Sequence, residues 1–296
     1  MEIDETTVLG DRGFIQINGD ESKEFLQNIV TNDMEKVSEN LTLFSSIFTP
    51  QGKYLYEFFI LKQKNGYLIE CEKDITNEII KIFNFYKLRS KVSLTDVSKK
   101  YTAIVISLEK FKKVSKCKAL KGFTETYNEK IMYIDSRNED LGAKIVIKFE
   151  KAEDEIKKLN LRKIANDNYY NKSFELGIPQ INLNKLKDKI FGIESNLDEL
   201  GGIDFKKGCY IGQENTSRIK LRNKLRRRIL PIKKISGQFS ENDIIKYKNL
   251  EIGKIMIDKP YPFGLIKVVD PDLKEFTNIE LICGKSKIKI LKPKWI

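Results

Sequence analysis

The residues with the clearest potential for chemistry lie in one glycine-rich segment, residues 201–214, with the sequence GGIDFKKGCYIGQE. Four glycines within twelve residues favour a tight turn in which the backbone approaches another backbone segment or a ligand. Cys209 follows Lys207 by two residues, and nearby positive charge favours the thiolate, the nucleophilic form of the side chain. The segment therefore predicts a reactive thiol, although a free cysteine is more often a small buried hydrophobic residue.

The absence of histidine from the 296 residues narrows the possible chemistry. It excludes Ser-His-Asp and Cys-His nucleophiles and metal sites with imidazole ligands. The cysteines Cys71, Cys117, Cys209 and Cys283 form no CxxC pair, so we expect neither a protein-built zinc site nor the disulfide framework of a secreted protein. Catalysis would depend on carboxylates, Lys, Tyr, Cys or a bound cofactor.

The basic residues that give the chain its net charge of +12 are distributed in two ways. Lysines are scattered along the whole chain, which indicates general solvation, whereas five of the nine arginines fall within residues 218–228. These five are Arg218, Arg222, Arg226, Arg227 and Arg228. Basic residues alternate there with Ile219, Leu221 and Leu225, and this alternation predicts a strand with one basic and one apolar face.

The elements that position these residues indicate an α+β fold. Strand-like segments at 13–17, 43–48, 54–61, 67–70, 91–97, 102–107, 130–135 and 143–148 alternate with a helix over Asp20–Thr31 and a helix capped by Asp74. A helical zone over 153–176 ends at Gly177 and Pro179. From Ile219 the period becomes mostly two, which predicts a small β-barrel-like lobe. We expect an α+β region over 1–220, with two subdomains, and a β-barrel lobe over 221–296.

The chain contains no apolar run of the length of a membrane span, and its first residues are acidic. The expected location is the cytoplasm, with neither a membrane nor DNA as a partner.

Residues 207–214, KGCYIGQE, resemble the signature of YgfZ-type folate-binding proteins. These proteins are relatives of the glycine cleavage T protein, an aminomethyltransferase, and support iron–sulfur enzymes. Further similar landmarks occur in order along the chain: FLQ at 25–27, TND at 31–33, PQGK at 50–53, LRSKV at 88–92, GIP at 177–179, ESNL at 194–197 and PKW at 293–295. The resemblance covers essentially the entire chain.

The resemblance implies an aminomethyltransferase-like folate-binding body with ferredoxin-like α/β subdomains and a C-terminal β-barrel lobe. It implies tetrahydrofolate, or a one-carbon derivative, as the cofactor, and no metal site. Glu194 would recognise the pterin, because one carboxylate can accept from a ring N–H and an exocyclic amine together. Cys209 and Lys207 would be the catalytic residues, with Lys207 lowering the pKa of the thiol. Further cofactor-binding residues would be Tyr210, Gln213, Glu214, Arg218 and Glu57.

The chain departs from the family pattern at two places. Aminomethyltransferases carry two adjacent aspartates in the strand after the glycine-containing turn. In this chain the equivalent strand after Gly52 is YLYEF at 54–58, so the pair is lost and Glu57 is the one remaining carboxylate. Loss of an acid at a reacting nitrogen typically lowers a rate by about 10²–10⁴-fold. The second departure is Ser173, where relatives often place an arginine that would contact an anion.

Three functions remain open from the sequence. The first is a tetrahydrofolate-binding accessory protein that helps assemble or repair iron–sulfur clusters in client enzymes, including radical enzymes that thiolate tRNA. One cysteine cannot hold a four-thiolate cluster, so Cys209 would act by transient contact or thiol exchange. The second is an aminomethyltransferase that forms methylenetetrahydrofolate. The third is an RNA-binding protein. The 218–228 stripe would contact a folate tail, tRNA or solvent, and tRNA is disfavoured because no aromatic residues are interleaved with it.

Overall fold

The computed structural model describes residues 1–115, 120–127, 130–269 and 273–296. The chain divides into two compact units, each built from separate segments. The first unit contains Met1–Ile47, Tyr56–Tyr169 and Leu200–Ile211. The second unit contains Phe48–Leu55, Tyr170–Glu199 and Gly212–Ile296. Within the described ranges, no helix is both long enough and apolar enough to cross a lipid bilayer.

The strands of the first unit form two mainly antiparallel sheets. In chain order these strands are β1 (Glu5–Leu9), β2 (Arg12–Asn18), β3 (Leu43–Phe48), β4 (Tyr54–Gln63), β5 (Gly66–Glu72), β6 (Ser93–Asp96), β7 (Tyr101–Ile106), β8 (Thr124–Tyr127), β9 (Lys130–Ile134), β10 (Ala143–Lys148) and β11 (Arg162–Lys163). One sheet has the order β3-β4-β5-β2-β6, and the other has the order β11-β1-β7-β10-β9-β8. The mixture of sheets and helices confirms the predicted α+β class.

Two helices of the first unit pack through aromatic side chains. They are α1 (Ser22–Gln27) and α2 (Thr76–Lys87). Phe25 of α1 meets Phe83 of α2 edge to face, with the ring centroids 5.8 Å apart, and both side chains are buried. The predicted helix over Asp20–Thr31 is too long, because Gly19 and Asp20 turn the chain before it and the backbone leaves the helix after Gln27. Asp74 lies in a short 3-10 turn before α2 instead of capping it.

A buried ionic cluster joins the two sheets of the first unit. Glu70 of β5 accepts hydrogen bonds from Arg12 Nε of β2 at 3.0 Å, from Lys144 Nζ of β10 at 2.6 Å and from Tyr133 Oη of β9 at 2.5 Å. Burial alone would raise the pKa of Glu70, but the charges of Lys144 and Arg12 and these hydrogen bonds lower it. A buried carboxylate is tolerated when its charge is compensated in this way.

Two short helices and a two-residue strand replace the predicted helical zone over 153–176. The helices of this region are α4 (Ala152–Lys158) and α5 (Asp167–Glu175), which follow α3 (Leu108–Val114) in the chain, and β11 lies between α4 and α5. Asn160, with a φ of 50°, turns the chain after α4. The predicted end at Gly177 is confirmed, because its φ is 73° and its N–H donates to the Phe174 carbonyl oxygen at 2.9 Å.

The second unit contains a closed β-barrel, which confirms the predicted C-terminal barrel. Its strands are β12 (Arg227–Ser236), β13 (Ile244–Tyr247), β14 (Leu250–Ile257), β15 (Phe263–Lys267), β16 (Leu281–Cys283) and β17 (Ser286–Ile290), closed in the order β12-β15-β14-β13-β16-β17. The strands alternate inward and outward side chains, and the inward set is rich in isoleucine and fully buried. The barrel begins at Arg227, which also lines the pocket described below.

The predicted strand over the arginine-rich stretch is wrong. Residues Gln213–Leu221 form helix α6, residues 222–226 connect it to the barrel, and only Arg227 and Arg228 lie on a strand. Arg, Lys and Leu are good helix formers, so a short alternating run of them does not distinguish a strand from a helix. Asn223, with a φ of 47°, turns the chain after the helix.

Candidate functional site

Cys209 is the exposed cysteine among those that the structure describes. Cys71 and Cys283 are fully buried, and burial raises the pKa of Cys71 to about 12 and the pKa of Cys283 to about 11. Both buried thiols are therefore protonated and shielded at neutral pH. Cys117 lies outside the described residues. Of the three cysteines that the structure describes, Cys209 is the one that a partner molecule can reach.

Lys207 anchors the Cys209 segment to the end of helix α1. Its ammonium group donates to the carbonyl oxygens of Gln27 at 2.7 Å, Val30 at 2.7 Å and Asn32 at 3.0 Å. Carbonyls at and beyond a helix C-terminus lack partners within the helix, and a lysine can satisfy them. Burial lowers the pKa of Lys207 to about 8, against the opposing charges of Asp33 and Asp204. The ammonium thus has a clear structural role, and its effect on the Cys209 thiol stays a prediction.

The TND sequence at 31–33 holds the other end of the same segment. Thr31 Oγ1 donates to the Gly202 carbonyl oxygen at 2.6 Å, and Asn32 Nδ2 donates to the Gly201 carbonyl oxygen at 2.8 Å. The backbone N–H of Asp204 donates to the Thr31 carbonyl oxygen at 3.0 Å. The two segments lie about 170 positions apart, and the sequence alone did not indicate that they touch. Cys209 is therefore exposed on a segment whose base is fixed.

Tyr210 follows Cys209 and is buried. Its ring lies under the Lys207 ammonium, 5.1 Å from nitrogen to ring centroid, a cation–π arrangement. Burial raises the pKa of the Tyr210 hydroxyl well above its ordinary value, so the residue is a neutral phenol. The structure gives Tyr210 a packing role beside Lys207, and its predicted contact with a cofactor stays a prediction.

A basic pocket of about 780 Å³ lies within the second unit. Six cationic side chains and one carboxylate line it: Arg218, Arg222, Lys224, Arg226, Arg227, Lys267 and Glu194. Its apolar wall comes from Phe191, Ile219, Leu225, Val268 and Val269. Two of the predicted cofactor-binding residues, Glu194 and Arg218, thus meet in one pocket, while Gln213 and Glu214 begin helix α6 and are not among its lining residues. The charge and the apolar wall suit a partly aromatic anion.

Glu194 lies at the edge of this pocket on a 3-10 turn, Gly192–Ser195. Its carboxylate accepts from the backbone N–H of Phe191 at 2.9 Å, and from Arg227 Nε at 2.8 Å and Nη2 at 3.2 Å. Its side chain is 5% exposed, whereas that of Arg227 is 40% exposed. Arg227 therefore occupies the paired acceptor positions that the sequence assigned to a pterin. The sequence indicated Glu194 as a binding residue and Arg227 as part of the basic stretch, but it did not indicate a contact between them.

Glycine at position 192 is required by close packing under this turn. A Cβ atom there would lie 2.0 Å from Phe48 Cζ, too close for any side chain. After the turn, Asn196 adopts a left-handed conformation with φ of 63°, and its Nδ2 donates to the Ile229 carbonyl oxygen of β12 at 2.7 Å. The backbone that carries Glu194 is thus fixed to the barrel.

Arg228 differs from its neighbour in the sequence. Its guanidinium donates to Asn196 Oδ1 and to Glu199, and it is not among the residues that line the pocket. The arginine-rich stretch therefore splits into Arg218, Arg222, Arg226 and Arg227, which line the pocket, and Arg228, which is bound to Asn196 and Glu199 outside it.

Glu57 and Ser173 are both buried. Glu57 belongs to the first unit, where Arg137 is also buried. Burial alone would lower the pKa of Arg137, but the charge of Asp135 and, to a smaller extent, that of Glu57 raise it. Ser173 donates from Oγ to the Ile178 carbonyl oxygen at 2.7 Å, so it stabilises the turn after α5. Across the described ranges, no group of three or more Cys, Asp or Glu residues has the geometry of a metal site.

Comparisons with known proteins give the following relatives. No family model matches the chain. It is 28% identical over 284 residues to a Neurospora crassa protein named iron–sulfur cluster assembly factor IBA57 homolog, mitochondrial, which covers 93% of the chain and 62% of that protein. A Dictyostelium discoideum protein of the same name is 27% identical over 252 residues, covering 76% of the chain and 61% of that protein. The chain thus spans about three-fifths of the length of these curated relatives.

A solved structure gives an independent match to the fold. Aminomethyltransferase T of the glycine cleavage system from Bartonella henselae superposes with a TM-score of 0.76, covering 99% of this chain and 86% of that chain at 10% identity. Identity at this level shows the fold alone, and the match confirms the aminomethyltransferase-like architecture.

The expected cytoplasmic location is wrong, because the relatives are named as mitochondrial proteins.

Proposed function

We propose that this chain, a YgfZ-type protein of the glycine cleavage T protein superfamily, is a tetrahydrofolate-binding accessory protein that supports iron–sulfur cluster assembly or repair in client enzymes. The observation that carries the proposal is the exposed thiol of Cys209 on a segment anchored by Lys207 and Asn32. The similarity to proteins named as iron–sulfur cluster assembly factors, over 93% of the chain, supports it.

Cys209 acts by transient contact in this proposal. Conventional clusters need four ligands, and one thiolate supplies a quarter of them. A single exposed thiolate can instead ligate a cluster iron briefly, or exchange with a disulfide or persulfide on the client. A fixed base for the segment favours this role, because it presents the sulfur with little conformational entropy to lose on contact.

Tetrahydrofolate binds in the basic pocket of the second unit in this proposal. The apolar wall of the pocket suits the pterin and aminobenzoyl rings, and the arginines suit the glutamate carboxylates. None of Arg218, Arg222 and Arg226 forms an ion pair with any residue that the structure describes, so these cations are available to a ligand. Glu194 supplies the acceptor for the pterin donors.

Complementation tests the role of the thiol. In a strain that lacks the corresponding protein, Cys209→Ser should fail to restore the activity of iron–sulfur enzymes, whereas Cys283→Ala, which removes a buried thiol without burying a hydroxyl, should restore it. Both variants should keep the wild-type circular dichroism spectrum and the wild-type affinity for tetrahydrofolate. Full complementation by Cys209→Ser would refute the proposed role.

A folate titration tests the pocket. Calorimetric titration of the purified chain with tetrahydrofolate should show binding that Glu194→Ala weakens by tenfold or more, because the pterin loses its paired acceptor. Glu175→Ala, which removes an exposed carboxylate that does not line the pocket, is the matched control and should leave the affinity unchanged. Absence of binding to the wild-type chain would refute the folate assignment.

Radical enzymes that thiolate tRNA are the proposed clients. They carry clusters that are consumed or damaged in turnover, so they would depend on a repair protein. The level of thiolated nucleosides in bulk tRNA, measured by mass spectrometry, should fall in the deletion strain and recover with the wild-type gene but not with Cys209→Ser. Unchanged levels would remove these enzymes from the client set.

A further inference from the structure

Arg227 occupies the acceptor positions on Glu194 that a pterin would need. Its Nε and Nη2 atoms present two parallel donors to the carboxylate, at 2.8 Å and 3.2 Å. A pterin presents an equivalent pair, a ring N–H beside an exocyclic amine. The third donor, the backbone N–H of Phe191, lies at 2.9 Å. A carboxylate has about four acceptor positions, so a second bidentate partner does not fit while Arg227 is bound.

The two partners of this ion pair differ in freedom. Glu194 is held by the Phe191 N–H, is 5% exposed, and lies on a turn packed against Phe48 through Gly192. The Arg227 side chain is 40% exposed and lies at the first residue of β12, facing a pocket of about 780 Å³. If one partner must move to admit a ligand, it is Arg227, because its guanidinium can turn into the pocket without leaving its backbone position.

We infer that Arg227 exchanges partners when the ligand binds: it releases Glu194 to the pterin and pairs with a carboxylate of the glutamate tail. This inference rests on the proposed folate function. The exchange keeps every charged group paired, because the Glu194–Arg227 ion pair is replaced by a pterin–Glu194 contact and a tail–Arg227 contact. Arg218, Arg222 and Arg226 line the same pocket and add to the attraction of the tail.

Arg227 is thereby a specificity-determining residue. A pterin without a glutamate tail has to displace Arg227 from Glu194 and offers it no new anion, so it loses part of its binding free energy. A glutamate tail without a pterin would draw Arg227 away from Glu194 and supply no new donor to that carboxylate. An unpaired, nearly buried carboxylate is unfavourable, so such a ligand also binds weakly. The resting ion pair therefore selects ligands that contain both halves.

Affinities for a whole ligand and for a half ligand test the exchange. The probes are tetrahydrofolate and 6-methyltetrahydropterin, titrated by calorimetry into the wild-type chain, Arg227→Gln and Arg228→Gln. In Arg227→Gln, 6-methyltetrahydropterin should bind about tenfold tighter because the competitor is gone, a change of about 1.4 kcal/mol. Tetrahydrofolate should bind no tighter, because it also loses its tail contact. We call the dissociation constant of 6-methyltetrahydropterin divided by that of tetrahydrofolate the ratio. In Arg227→Gln this ratio should therefore fall at least tenfold.

Arg228→Gln is the matched control, because it removes the same charge from the adjacent position, which is bonded to Asn196 and Glu199 and does not line the pocket. Its ratio should equal that of the wild-type chain. Arg227→Lys is the second variant in case Arg227→Gln fails to fold, and Tm is the check of folding. It should also lower the ratio, because a lysine ammonium cannot form the paired contact with Glu194 that the arginine guanidinium forms.

The outcomes separate the exchange from the folate assignment. If the wild-type chain binds tetrahydrofolate and a folded Arg227 variant leaves the ratio unchanged, the exchange is refuted and the folate site stands. If the wild-type chain binds neither probe, the folate site is refuted together with the exchange that rests on it. A ratio that falls equally in Arg228→Gln would also refute the exchange, since the effect would then come from net charge.

Discussion

The Lys207 side-chain nitrogen lies 2.7 Å from the carbonyl oxygen of Val30, 177 positions earlier in the chain. With the carbonyls of Gln27 and Asn32, it completes a three-point anchor for the Cys209 segment. Lys207→Met should therefore lower the free energy of unfolding by about 2 to 4 kcal/mol, because it leaves carbonyls without donors in a mostly buried site. Urea unfolding followed by circular dichroism measures this change.

Lys206→Met is the matched control for this substitution. Lys206 is the exposed neighbour of Lys207, so its replacement should change the free energy of unfolding by no more than about 0.5 kcal/mol. Equal effects of the two substitutions would contradict the anchoring role.

Asp204 should make the stability of the chain depend on pH in the acidic range. Burial alone would raise the pKa of Asp204, but hydrogen bonds from the Lys36 side chain and from the backbone of Lys206 and Lys207 lower it below the ordinary value of 3.8. The unfolded state then binds more protons in this range, so the stabilisation is present above about pH 4 and is lost as the pH falls through the folded-state pKa.

Asp204→Asn should remove this dependence. The difference in free energy of unfolding between wild type and Asp204→Asn should be clear at pH 7 and smaller at pH 3, measured by urea unfolding at each pH. Asp154→Asn, a change at an exposed position, is the control and should show the same small difference at both values. A difference for Asp204→Asn that does not shrink at pH 3 would contradict the assignment.

The described thiols should differ in reactivity under native conditions. Cys209 is exposed and should react with iodoacetamide within minutes at pH 8, whereas Cys71 and Cys283 are fully buried and should react only after unfolding. Mass spectrometry of tryptic peptides locates the label. Comparable labelling of Cys71 in the folded chain would show that its strand opens readily and that burial does not protect it.

The same labelling reaction tests the role predicted for Lys207 in the reactivity of Cys209. At neutral pH the rate constant for labelling of Cys209 should be lower in Lys207→Met than in the wild-type chain, because a nearby cation makes a thiol more reactive, and it should be unchanged in Lys206→Met. An unchanged rate constant in Lys207→Met would leave Lys207 with the anchoring role alone.

Two glycines of the KGCYIGQE segment should respond differently to alanine. Gly212 has a φ of 82°, and a Cβ atom there would lie 2.4 Å from the Thr49 carbonyl oxygen, so Gly212→Ala should displace the start of α6 and lower Tm by several degrees. Gly208 has no atom within 4 Å of the position of a Cβ, so Gly208→Ala should leave Tm nearly unchanged. Differential scanning calorimetry measures both, and equal losses would contradict this reasoning.

Local patterns predicted the elements whose stability is mainly local. Strands β3 and β10 agree with the predicted segments at 43–48 and 143–148 to the residue, because each is a short run of β-formers bounded by turn residues. The end of α5 was predictable because Gly177 needs a positive φ and Pro179 cannot continue a helix. The barrel was predictable from the period of two in its sequence.

Contacts between distant residues were not predictable in this way. The arginine-rich stretch alternates like a strand, yet it starts as a helix because its residues favour both states and packing decides between them. Lys207 was expected to act on its neighbour Cys209, but its ammonium contacts carbonyls that only the folded chain brings near. The Glu194–Arg227 pair likewise joins a predicted site residue to an arginine of the basic stretch through a contact that spacing in the sequence does not reveal.

The cluster around Glu70 has a consequence for the way the first unit unfolds. Its partners Arg12, Tyr133 and Lys144 come from both sheets, and the carboxylate and both cations are almost completely buried. Separating the sheets would break the contacts of Glu70 with Lys144 and Tyr133 together and leave it only Arg12, which lies on its own sheet. We therefore expect the two sheets to open together, so that their core amide protons exchange at similar rates.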